Sequence, residues 1–299
     1  MRRPTIRGDA RVALIAPAGP LRGQDDLTRA QENVRSLGWQ PVTGAHVLEK
    51  MGYLAGADAG RLADLNTALT DEHVEAIWCL RGGYGVMRLL DGIDYAAMRR
   101  RPKPIIGYSD ITALHAAVGT RCETISYHGP TARAKLTPFS RASLERALQG
   151  EDSCGDAEHA ETLRSGRARG RLIGGNLSIL SALAGTPYEP DYGGAILVVE
   201  DVNETVYRID RMLTQLRLGG RLTRCAGIIF GQFTDIPTDA AEDASGARTL
   251  GDVLRETATA VGVPCIAGAP VGHVSDQWTL PLGALASLDA DARSLRILE

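Results

Sequence analysis

Short apolar runs that end in glycine-rich loops and lead into helical periodicity constrain this chain most. Val12-Ala13-Leu14-Ile15-Ala16 is followed by Pro17-Ala18-Gly19-Pro20 and then by a helical pattern over about 25–37. A helical pattern over 58–69 precedes the apolar stretch 74–80, which runs straight into Arg81-Gly82-Gly83-Tyr84-Gly85. Pro104-Ile105-Ile106-Gly107 leads into Ile111, Leu114 and Val118 at helical spacing. Short runs of this kind suit strands buried on both faces, and strands alternating with helices build a parallel sheet. The first half therefore reads as α/β.

Over 151–170 the composition turns to Glu, Asp, Ser, Gly and Arg without an apolar period, which predicts a linker between a first domain, 1–150, and a second, 171–299. In the second, Leu177, Leu180 and Leu183 mark a helix, and Ala195-Ile196-Leu197-Val198-Val199 a strand ending at Glu200-Asp201. A helix over about 204–218 shows Val206, Ile209, Leu213 and Leu216 on one face and stops at Gly219-Gly220. Gly227-Ile228-Ile229-Phe230 is another strand, 234–247 an acidic surface loop, and Pro281 with short strands near 286–288 and 295–298 points to a β-rich second domain.

At 299 residues, 44% hydrophobic and 23% charged, the chain has the composition of a folded globular protein. A net charge of −3 with no basic face argues against nucleic acid as partner, and no stretch approaches a membrane span. Five cysteines without a C-x-x-C pair fit neither a disulfide framework nor a zinc knuckle. The apolar run 12–16 is too short for a signal peptide, so the expected location is the cytoplasm. With no H-E-x-x-H and no cluster of ligand residues, neither metal nor cofactor is expected. The absence of G-x-G-x-x-G after the first strand argues against a dinucleotide.

Gly107-Tyr108-Ser109-Asp110-Ile111 places Ser109 on a strand-to-helix turn. A serine there either caps the helix or presents its hydroxyl at the sheet rim as a nucleophile, in a relative of the G-x-S-x-G elbow. The glycine loop at 81–85 is either a tight turn or a source of free amides for a substrate oxygen. A serine nucleophile needs a base, usually His, oriented by a carboxylate. Of six histidines, His128, after a strand, and His273, in the loop Pro270-Val271-Gly272-His273-Val274, are the candidates. Glu200 is either the first solvated residue after a strand or a buried, partnered carboxylate.

Arg81-Gly82-Gly83-Tyr84-Gly85, Gly107-Tyr108-Ser109-Asp110-Ile111-Thr112, Gly174-Gly175-Asn176-Leu177-Ser178, Glu200-Asp201 with Glu204 and Tyr207, Asp210-Arg211-Met212-Leu213, and Gly272-His273 with Leu280-Pro281-Leu282-Gly283 resemble, in content and order, the LD-carboxypeptidases. The resemblance implies a Rossmann-like N-terminal domain with a parallel sheet, joined to a β-rich C-terminal domain. It makes Ser109 the nucleophile, His273 the general base and Glu200 the orienting carboxylate, with backbone amides of Gly83 and Asp110 as oxyanion hole. The implied substrate is a small muropeptide, cleaved at an L-to-D bond to release terminal D-alanine in peptidoglycan recycling, by a protein that forms homodimers. A second branch, the microcin C immunity hydrolases, acts on acyl- or peptidyl-adenylates and carries an aromatic-bearing loop; here 176–191 offers only Tyr188. A carboxypeptidase must also hold the terminal carboxylate. Arg81 and Asn176 are the candidates, against a strand-end salt bridge for the first and a helix N-cap for the second.

Overall fold

A computed structural model describes residues 1–4, 6, 8–237 and 248–298. In chain order, β1 (Arg11–Ile15), α1 (Gln24–Ser36), β2 (Gln40–Thr43), α2 (Asp58–Thr70), β3 (Ala76–Cys79), α3 (Tyr95–Arg100), β4 (Ile105–Gly107), α4 (Thr112–Cys122), β5 (Ser126–His128) and α5 (Pro138–Gln149) form the first half. Strand residues alternate between two apolar layers, as a period of two requires. Leu14, Trp78 and Ile106 face α1 and α5, where Leu27, Val34, Leu144 and Leu148 pack. Ile15, Ile77 and Ile105 face the other way, with Leu65, Leu69, Met98, Leu114 and Val118. Strands β1 to β5 are parallel throughout.

The second half runs β6 (Gly155–Asp156), β7 (Glu161–Arg164), β8 (Arg167–Asn176), α6 (Leu177–Leu183), β9 (Ile196–Val202), α7 (Val206–Leu218), β10 (Gly227–Thr234), α8 (Leu250–Val261), β11 (Cys265–Ala267), β12 (Leu280–Leu282), β13 (Leu285–Asp289) and β14 (Ser294–Ile297). Its sheet has the order β6-β14-β13-β8-β9-β10-β11-β7, with β8 to β11 parallel. Helices α6, α7 and α8 cover one face through Leu180, Leu213, Leu216 and Leu254 against Leu197, Val199, Ile228 and Phe230. On the opposite face Ile196, Val198 and Ile229 join the layer that holds Leu14 and Trp78, so one apolar core continues from sheet to sheet.

Two expectations need correction. Residues 151–170 are not a plain linker: they contribute β6, β7 and the start of β8. The sequence hides these strands because β6 and β7 are short sheet edges that bury little, with exposed or half-buried side chains throughout. Leu280-Pro281-Leu282 does not extend the second sheet; as β12 it pairs antiparallel with β5, Leu280 opposite His128, and closes the order β12-β5-β4-β3-β1-β2. Proline is tolerated there because β12 is an edge strand. The first sheet thus includes a piece of the second half. Of the acidic loop expected over 234–247, residues 238–247 lie outside the described residues.

Candidate active site

The carboxyl ends of β1, β3, β4 and β5 open on one rim, where open parallel sheets bind ligands. Ser109 stands on this rim, half-buried, in a single 3-10 turn between β4 and α4. Its φ of 65° lies in the left-handed region, which costs a non-glycine residue about 1–3 kcal/mol. The side chain caps neither the turn nor α4, and makes no hydrogen bond among the described residues. Strain without a capping bond is what an exposed-nucleophile turn looks like.

The glycine loop lies directly against it. A Cβ on Gly82 would sit 2.7 Å from Ser109 Cβ and 2.9 Å from its Oγ, so only glycine fits. Gly82 O accepts a 3.0 Å hydrogen bond from Gly19 N, tying the β1 loop to the β3 loop, and Gly83 turns at a φ of 118°. Behind the loop, the fully buried Arg61 donates to Gly85 O at 3.0 Å, to Pro17 O and to Asp58. The Asp110 carboxylate accepts from Val86 N at 2.9 Å, and burial raises its pKa to about 6 against the opposing pull of that bond. Gly83 and Asp110 therefore flank Ser109 on braced backbone.

On β9 the two-residue period puts Glu200 on the same face as Ile196 and Val198, the core between the sheets. The strand does not end before Glu200 but continues to Val202, and the residue is fully buried. Its Oε2 lies 2.8 Å from His273 Nδ1, while Oε1 accepts no hydrogen bond within 3.5 Å among the described residues. Burial raises the Glu200 pKa, opposed chiefly by the histidine bond. Asp201, one step on, faces the helices and accepts from Asn176 Nδ2 at 2.8 Å, Ser178 N at 2.9 Å and Ser178 Oγ at 2.7 Å.

His273 is partly exposed, and its ring packs 4.8 Å from that of Tyr108, the residue before Ser109. The structure thus brings the histidine from the second half against the serine turn of the first, although it forms no Ser109–His273 hydrogen bond. Gly272, at a φ of 122°, makes this approach possible, since a Cβ there would lie 2.9 Å from Glu200 Oε2 and 3.1 Å from Gln232 O. Gly272→Ala is accordingly expected to destabilise the fold by about 2–3 kcal/mol, read as a lowered Tm.

The competing His128 is fully buried behind Tyr108, at 6.1 Å between rings, and neither of its nitrogens has a hydrogen-bond partner among the described residues. Burial holds its pKa down at about 3. His115 is also buried. With its pKa lowered by burial to about 4, it is neutral; Nε2–H donates to Gly107 O at 2.8 Å and Nδ1 accepts from Ser126 Oγ at 2.9 Å. It pins the residue two before Ser109, a role its helical position in the sequence does not reveal. Asn176 caps α6, accepting from Ile179 N, and its NH2 group is committed to Asp201. Arg81 forms no ion pair among the described residues; it donates to Pro20 O and lies beside Gly19 and Gly82.

A family model for the LD-carboxypeptidase N-terminal domain matches residues 12–129, and one for the LD-carboxypeptidase C-terminal domain matches 169–288. A probable murein peptide carboxypeptidase of Bacillus subtilis is 37% identical over 291 residues, covering 95% of this chain and 89% of the relative. The murein tetrapeptide carboxypeptidase of Pseudomonas aeruginosa is 36% identical over 299 residues, covering 95% and 94%. Among solved structures, the microcin immunity protein MccF in complex with glutamyl sulfamoyl guanosine superposes with a TM-score of 0.87 at 23% identity, over 99% of this chain and 98% of that one. The muramoyltetrapeptide carboxypeptidase from Oxalobacter formigenes does so with a TM-score of 0.83 at 28% identity, over 96% and 98%. With both family models matched in order along most of its length, the chain belongs to the LD-carboxypeptidase family.

Proposed function

We propose that the protein is a serine carboxypeptidase that cleaves the L-to-D bond of murein tetrapeptides and releases D-alanine, with Ser109, His273 and Glu200 as its triad. The observation that carries this reading is the buried Glu200 bound at 2.8 Å to His273, against the strained Ser109 turn. Glu200 accepts from Nδ1–H, which leaves Nε2 as the base. Nε2 takes the Ser109 proton as Oγ attacks the scissile carbonyl. The amides of Gly83 and Asp110 receive the oxyanion. Imidazolium then returns the proton to the leaving amine, the acyl-enzyme forms, and water attacks it by the same relay in reverse.

Relatives at 36–37% identity that are named for murein peptides favour this substrate over an acyl-adenylate. A cytoplasmic setting agrees with five free cysteines and with no helix long and apolar enough to cross a membrane among the described residues. The homodimer belongs to the same proposal and follows from the family resemblance.

Incubation with a tetrapeptide ending in D-alanine and, separately, with a peptidyl-adenylate tests the assignment. Free D-alanine should appear from the first at an enzymatic rate, unaffected by chelators. Turnover of the adenylate alone would transfer the chain to the immunity branch.

A further inference from the structure

In the first sheet β2 lies on one side of β1 and β4 on the far side of β3, so the strand order reverses between β1 and β3, whose loops meet through Gly19 and Gly82. Such a switch point is where open sheets take their ligands. Arginines gather here. Arg81, from the β3 loop, lies with its Nε beside Gly19, and Gly82 next to it abuts Ser109. Arg133 comes from the loop after β5, which is held rigidly: Ala132 N donates to Cys79 O at 2.9 Å, and Asn33 Nδ2 donates to Ala132 O and Ala134 O at 2.7 and 2.8 Å. Arg22 and Arg29 stand at the start of α1.

Among the described residues one carboxylate, Asp26, answers this group, and only loosely. Its oxygens are 3.5 Å from Arg133 Nη1 and 3.9 Å from Arg29 Nη1, and the same carboxylate also accepts from Arg22 N at 3.0 Å. Burial, and then repulsion from Arg133 and Arg22, hold Arg81 below the ordinary arginine range. The Nε of Arg133 is buried and has no hydrogen-bond partner among the described residues, although the side chain as a whole is 24% exposed. With Nη1 only loosely held by Asp26, the exposed part of the planar guanidinium keeps donors to spare for a carboxylate. Burial, and then Glu200, raise the pKa of Tyr108, beside Ser109, and Arg133 is near enough to pull against them. Gathering cations around an unsatisfied guanidinium costs free energy unless an anion completes the set.

In a carboxypeptidase substrate the terminal carboxylate lies one residue beyond the scissile carbonyl, about 3.5 Å of extended chain. Its cation must therefore stand on the nucleophile's own rim, as these do. We propose that Arg133, backed by Arg81, binds the free carboxylate of the departing C-terminal residue through the exposed part of its guanidinium, an assignment that rests on the carboxypeptidase reading above.

Calorimetry on the full-length Ser109→Ala protein, with a tetrapeptide ending in D-alanine and its C-terminal amide as probes, tests this without turnover. The acid should bind about 10- to 100-fold tighter than the amide. Adding Arg133→Ala should bring the acid down to the level of the amide and leave the amide unchanged, while Arg133→Lys should keep part of the preference and shows that the loop still folds. Equal binding of acid and amide to the Ser109→Ala protein overturns the proposal, as does an Arg133→Ala loss shared by both peptides. D-alanine release by the unsubstituted protein reports separately on the hydrolase reading. Turnover without acid-over-amide preference removes the Arg133 assignment alone, and preference without turnover removes the hydrolase alone.

Discussion

Ser109→Ala is expected to lower kcat for D-alanine release by about 10⁴- to 10⁶-fold, the range for losing the nucleophile of a triad. The same change should leave stability within about 0.5 kcal/mol, because the hydroxyl makes no hydrogen bond to lose and caps no helix. Ser109→Gly sharpens the comparison. At a φ of 65° glycine escapes the left-handed penalty, so this variant should be equally inactive yet more stable by about 1 kcal/mol. Steady-state kinetics beside urea unfolding of the three proteins check both arms. Retained turnover in either variant would remove the serine mechanism, and marked destabilisation of the alanine variant would mean that the hydroxyl serves the fold.

Glu200→Gln carries the second large effect. Glutamine keeps the volume and can still accept from His273, but it cannot stabilise the imidazolium that forms as Ser109 gives up its proton. A loss of about 10³- to 10⁴-fold in kcat is expected, with KM little changed. Stability should move the other way. Burial raises the Glu200 pKa above 4.5, so the folded state holds that proton more tightly than the unfolded chain does. Unfolding thus becomes easier as pH rises above the ordinary carboxylate value, and the charged group is a liability at neutral pH. Glutamine removes it. The variant should unfold at a higher Tm than the parent near pH 7.5, with the gain shrinking toward pH 4. A Tm that falls at neutral pH would show that the ion pair outweighs the cost of burying the charge.

Much of this architecture is legible from local pattern. The runs at 12–16, 76–80, 195–199 and 228–230 are read as strands because three to five consecutive apolar residues bounded by glycine, proline or charge fit little else at that length. Val206, Ile209, Leu213 and Leu216 repeat at helical spacing and form one face of α7, as read. The edge strands at 155–156 and 161–164 escape such a reading, since an edge strand with solvated side chains has no apolar period. The crossing of β12 into the first sheet escapes it too, because pairing partners are chosen by the shape of the whole core.

The candidate site divides in the same way. The turn at Ser109 and the glycine loop next to it are consequences of short-range geometry, and Gly272 beside His273 marks a backbone that bends sharply. Whether Glu200 is solvated or buried depends on which of its faces meets the other sheet; position in the sequence gives no preference between them. His115, Tyr108 and Arg133 look ordinary along the chain and gain their surroundings only when β4 lies beside β5 and the second half closes over the rim.

What the amino-acid order determined alone is the set of strands and helices, the faces they must bury and the backbone turns that only glycine or a strained serine can occupy, all of them settled within a few residues by sterics and the hydrophobic effect. What the tertiary structure decided is the pairing of Glu200 with His273 and the packing of that histidine on Tyr108, next to Ser109. Charge pairing and burial act through space, over separations in the chain at which local propensity carries no information.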